Sequence, residues 1–195
     1  MTDISSKHGR LQRSSASDGH YISTFRQVLR RHCGVMVSIT LVCFFLLNSN
    51  HLLQSGFAKS SNAPFFYLAA LTGFFILFVG YLLLIHRAID SRTILWILYL
   101  LLISILEEMT FRLMLPLAIL SSTGLIVGIV VSNAVFATVH FFTLRWKLVN
   151  CVGAFLGGLG LSRLFHVSDD LALIILVHWF FTFLNTPCPP RDSTA

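Results

Sequence analysis

Two adjacent carboxylates and an arginine, Glu107-Glu108-Met109-Thr110-Phe111-Arg112, interrupt an otherwise apolar run from Thr93 to Leu120. A run of that length can cross a bilayer. Each charge at the centre of a membrane helix costs about 2.5–3.5 kcal/mol on insertion scales. A chain that keeps three charges there must turn them into a bundle, where such groups do chemistry or move ions.

The rest of the chain agrees with a membrane setting. Hydrophobic residues make up 55% of the 195, charged residues 11%, and mean hydropathy is +0.79. Long uncharged apolar stretches mark membrane spans. They run over residues 33–52, 64–86, 93–120, 124–143, 147–165 and 170–186, and predict an all-α polytopic bundle of about six transmembrane helices. The expected divisions are a basic cytoplasmic tail (1–32), two N-terminal spans (33–92), a membrane domain that holds the charged run (93–186) and a C-terminal tail (187–195). The tail has no apolar core of its own and does not read as a cleavable signal peptide. Cys33, Cys43, Cys151 and Cys188 form no metal-binding or redox pair and read as small hydrophobes.

The net charge of +6 carries orientation. With six spans, the tail, the 87–92 loop, Arg145, Lys147 and Arg191 fall on one side, and Lys59 lies on the other. The positive-inside rule puts both termini in the cytoplasm. The basic tail shows no nucleic-acid motif, so the lipid bilayer is the partner expected, with no nucleic acid.

The run 93–120 would be roughly 42 Å long as a straight helix, against a core of about 30 Å. Pro116 cannot donate a backbone hydrogen bond. The helix is expected to bend, tilt or end shortly after Arg112, and a straight helix would put Glu107 and His140 at different depths. Glu108 and Arg112, spaced i, i+4, can pair on one face. Glu107 is rotated by roughly 100° and is left as the freer base. In the next span Asn133, Phe136 and His140 share a face; in the last, His178, Thr182 and Asn185 form another polar stripe. One such stripe would read as interhelical hydrogen bonding. Three together point to one shared site. The other histidines, His32 among them, fall in the tail or at span ends and read as solvated. Gly153/Gly157 and Gly124/Gly128 have the G-x-x-x-G spacing of close helix packing.

In this order, E-E-x-x-x-R (Glu107 to Arg112), F-x-x-x-H (Phe136 to His140) and a later membrane histidine (His178) resemble the CPBP family. That family holds type II CAAX prenyl endopeptidases and bacteriocin-processing or immunity proteins. The resemblance covers about residues 93–185 and implies an intramembrane endopeptidase. It implies that Glu107 activates water with help from His140, that Glu108 and Arg112 are electrostatic partners, and that His178 supports the oxyanion. Where the family usually has Asn or Asp four residues after that histidine, this chain has Thr182, so Asn185 is the candidate substitute. Asn133 and Phe136 complete the support. The Gly that often follows the motif's Arg is Leu113 here.

The chemistry of the residues fits peptide hydrolysis: a carboxylate in a low-dielectric pocket can serve as a base near neutral pH, and imidazoles can move protons and donate to an oxyanion. No cofactor is expected. Zinc on Glu107, His140 and His178 is the alternative, without an H-E-x-x-H motif to favour it. The partner is a peptide or protein in or at the membrane, and the location a multi-pass bacterial cell membrane. Two other functions compete: a non-catalytic immunity or scaffold protein with the same fold, and a proton or ion relay. A relay would string polar groups through the full depth, and the first two spans are read as contributing almost none.

Overall fold

The computed structural model describes residues 22, 24–47 and 50–190. The basic stretch before Ile22, with Lys7, Arg10 and Arg13, and Arg191 of the expected C-terminal tail lie outside them. Every regular element among the described residues is a helix: α1 (Phe25–Leu46), α2 (Asn50–Gly56), α3 (Ala58–Asn62), α4 (Pro64–Leu84), α5 (Ser91–Leu120), α6 (Leu125–Thr143), α7 (Leu148–Ser168) and α8 (Leu171–Asn185). Five of these are long and apolar enough to span a bilayer, and α8 is a shorter apolar helix. The protein is an integral membrane helix bundle.

The first span begins earlier than position 33. Thr24 caps it reciprocally with Gln27: the Thr24 hydroxyl accepts from the Gln27 amide, and the Gln27 side chain accepts from the Thr24 amide. Arg26, Arg30 and Arg31 therefore do not keep this stretch out of the helix. Long basic side chains at a span end can reach water or a carbonyl, and Arg31 donates to the Phe142 carbonyl at 3.2 Å.

Helix α5 is the axle of the bundle. Asp90 caps it, accepting from the Thr93 amide at 2.7 Å and the Thr93 hydroxyl at 2.6 Å. Those bonds, the hydroxyl's first, hold the Asp90 carboxyl below its usual range. The helix does not stop after Arg112. Instead Met109–Met114 form a π turn, in which the Leu115 amide bonds the Thr110 carbonyl five residues back. The ladder is already widened just before Pro116, so the donor that proline lacks is lost where the regular pattern has been given up. Thr110, Phe111, Arg112, Leu113 and Met114 are all buried. Five consecutive buried residues require neighbours on every side of the helix.

The ends of the bundle are fixed by cross-contacts. Trp96 stacks edge-on against Phe25 at 5.2 Å and donates to the Thr186 carbonyl at 2.8 Å, so the start of α1 and the end of α8 meet at one end. Arg92 bonds the Pro190 carbonyl there. At the opposite end Lys59 bonds the Ser168 carbonyl and Tyr67 bonds Asp170. The first turns of α5 thus lie level with the beginning of α1.

Candidate active site

Glycine decides how close the helices around α5 come. A Cβ on Gly128 would lie 2.7 Å from the Pro116 carbonyl oxygen, so α6 rests directly on the α5 backbone. A Cβ on Gly158 would lie 2.1 Å from Asn133 Oδ1 and 3.2 Å from an Arg112 terminal nitrogen. The bare α7 backbone thus covers the buried guanidinium. Gly153 and Gly157, the pair with the packing motif, have open space where a Cβ would go. The close contact falls on Gly158.

Under this cover Glu107, Glu108 and Arg112 are 2%, 0% and 4% exposed. The i, i+4 pair forms, with Arg112 Nε 3.2 Å from Glu108 Oε2. The guanidinium carbon lies 4.6 Å from the centre of the Phe136 ring, a cation–π contact that compensates part of its burial. Phe136 also stands edge-on to Phe111, His140 and His178, forming a wall of the site.

Glu107 is not the freer group that rotation alone suggests. Three imidazoles surround its carboxylate. His32 Nε2 lies 3.0 Å and His140 Nε2 3.3 Å from Oε1, and His178 Nε2 lies 3.5 Å from Oε2. His178 Nδ1 is 2.5 Å from Glu108 Oε1, so this one ring bridges the two glutamates. The 100° between their side chains is spanned by a partner wide enough to reach both. His140 Nδ1 donates to the Phe136 carbonyl at 2.8 Å. Glu107 and His140 therefore share a depth, contrary to the straight-helix expectation.

His32 overturns its reading as a solvated residue: it is 2% exposed. Its own helix held the signal. Val28, His32, Met36 and Thr40 are all buried along one line of α1. Four-residue spacing drifts off one face of a regular α-helix, but Leu29–Cys33 form a second π turn, which offsets part of the drift. The first span thus contributes His32, and also Thr40, whose hydroxyl meets Thr110 at 2.8 Å.

The remaining candidates fall elsewhere. The Asn133 amide donates to the Ile129 carbonyl at 2.9 Å and Ser162 Oγ at 3.0 Å, tying α6 to α7. Thr182 is half-buried one turn past His178, and Asn185 is exposed at the end of α8. Seven residues of helix separate Asn185 from His178 by roughly 10 Å along the axis, too far for both to serve one oxyanion. Trp146, which sequence reasoning passed over, lies against His140 with ring centres 4.5 Å apart.

For a metal, the group that converges is His32, Glu107 and His140, whose ligand atoms lie within 4.8 Å of one another. It shares Glu107 and His140 with the expected set and adds His32, while His178 Nε2 stays 3.5 Å from the other Glu107 oxygen. Two imidazoles and a carboxylate are donors that zinc accepts.

Residues 89–184 match the family model for type II CAAX prenyl endopeptidase Rce1-like. Nothing among curated proteins or solved structures matches the chain.

Proposed function

We propose, from the match of residues 89–184 to the family model for type II CAAX prenyl endopeptidase Rce1-like, that this protein is an intramembrane endopeptidase using glutamate-activated water. The observation that carries the proposal is the buried Glu107 carboxylate with imidazoles at both oxygens. Glu107 takes a proton from water, and the hydroxide adds to the scissile carbonyl carbon. His178, oriented by Glu108, stabilises the oxyanion that forms. As the C–N bond breaks, the proton taken from water passes through the Glu107–His140 pair to the leaving nitrogen. Arg112 holds Glu108 in place. The whole arrangement is held from several helices, which fixes its geometry before substrate arrives.

The substrate class is a peptide or protein segment in or at the membrane. His140 lies one turn before the end of α6, next to Arg145-Trp146-Lys147, at the end of the bundle that also carries Arg26, Arg87 and Arg92. With that basic end in the cytoplasm, cleavage takes place in the cytoplasmic half of the bilayer. The division of the chain into two N-terminal spans and a catalytic domain is part of the same proposal, with the amendment that α1 belongs to the site.

The test is terminal proteomics of membranes from cells carrying wild type or His140→Ala at matched protein abundance. Losing a general acid–base group costs roughly 10²–10⁴-fold in rate, so the new N-termini made by wild type should vanish in the variant. Purified wild type should keep its turnover in EDTA or phenanthroline. Loss restored by zinc would turn His32, Glu107 and His140 into ligands.

A further inference from the structure

The contacts of His32 are those of a working residue, although it lies outside the segment that matches the family model. Its Nδ1 is 2.8 Å from Thr143 Oγ1, and that hydroxyl donates its single proton to the Val139 carbonyl at 2.7 Å. The Thr143 oxygen can then only accept, so His32 Nδ1 carries a proton and donates it. His140 is set the same way, because the Phe136 carbonyl can only accept from its Nδ1. Both rings thus have Nδ1 occupied and direct Nε2 at one oxygen, Glu107 Oε1. Their centres are 4.9 Å apart. Three basic atoms converge on one point. They can be held together there by a proton shared among them, which an imidazolium or a protonated carboxyl supplies. A second-shell bond that fixes a ring's tautomer is the usual device for making the other nitrogen functional.

We propose that His32 is a positioning residue of the catalytic site: through Nε2 it holds Glu107 Oε1 and shares the proton that Glu107 takes from water, with Thr143 fixing its tautomer. The proposal rests on the peptidase reading. His32 anchors the oxygen that Glu107 turns toward α1 and α6, and this leaves Oε2 on the His178 side, where the oxyanion is stabilised. The π turn of α1 helps turn the ring toward the site. Helix α1 is then a structural part of the active site and cannot be removed from it as an N-terminal addition.

The test compares His32→Gln, His32→Asn, His32→Leu and Thr143→Val in the full chain, reconstituted in liposomes with a peptide that wild type cleaves. Glutamine can place a donor near the position of Nε2, whereas asparagine reaches only that of Nδ1. A hydrogen bond to a charged group supports a loss of about 10- to 100-fold. His32→Leu and His32→Asn should lose that much in kcat with KM unchanged, His32→Gln clearly less, and Thr143→Val an intermediate amount. Wild-type kcat in His32→Leu would overturn the proposal. If His32→Leu fails to accumulate, the ranking of glutamine above asparagine decides, and equal losses in the two would overturn it. One equivalent of zinc in purified wild type, lost in His32→Gln, would also overturn it by making His32 a ligand. Glu107→Gln separates the two readings. If it retains turnover, the peptidase mechanism falls; if it is inactive while His32→Leu is fully active, the His32 assignment alone falls.

Discussion

Helices α4 and α5 would be hard to rank by hydropathy, yet the bundle uses them in opposite ways. The best window of α4 has mean hydropathy 2.2 and is 11% buried, whereas that of α5 has 1.9 and is 56% buried. Phe65, Phe66 and Leu84 of α4 are among the most exposed large hydrophobics in the protein. In lipid, apolar surface gains little by hiding, since the solvent is as apolar as the side chains. What must hide is charge. Helix α5 sits at the centre because Glu107, Glu108 and Arg112 have to be surrounded, and α4 can stay outside because it has nothing to surround.

This contrast can be broken by substitution. The largest stability effect should come from Glu108→Ala, which strands Arg112 as a buried unpaired charge and costs about 3–5 kcal/mol. Accumulation in membranes and thermal unfolding in detergent should both fall. Ile76→Ala in the exposed face of α4 should change either by little, within about 0.5 kcal/mol. A drop in α4 as large as in α5 would mean that hydropathy, and not charge, organises the bundle.

A smaller effect sharpens where the cover over the charges lies. Gly158→Ala forces α7 away from Asn133 and Arg112, and overpacking of this kind costs typically 1–3 kcal/mol. Gly153→Ala, which meets open space, should be neutral or slightly stabilising in the same unfolding assay. The smallest effect expected is on turnover in Asn185→Ala. The residue is exposed at the end of α8, so kcat should stay within a few-fold of wild type, where loss of a true oxyanion donor costs roughly 10²–10³-fold.

Much of this could be read from the chain before its fold. Charged residues in an apolar run announced the inside of the bundle, and the i, i+4 rule placed Arg112 on Glu108. The stripes of α6 and α8 put His140 and His178 toward a common centre. Three things were hidden, each for a physical reason. His32 lay beside Arg30 and Arg31, and a hydropathy window closes on such charges although a helix does not. The depth of Glu107 depended on how the helices are staggered, which pairwise contacts such as Trp96 with Phe25 and Glu107 with His140 decide. The π turns, which set the facing of His32 and Arg112, leave no simple mark in the spacing of apolar residues.

The central claim is that the Glu107 carboxylate, held among imidazoles inside the bundle, activates the water that cuts the peptide. Its most direct test is the turnover number of purified Glu107→Gln in liposomes, at the same insertion and thermal stability as wild type. Glutamine keeps the volume and the hydrogen-bonding oxygen but cannot accept the proton, so kcat should fall roughly 10²–10⁴-fold with substrate binding retained. Turnover equal to that of wild type would contradict the account.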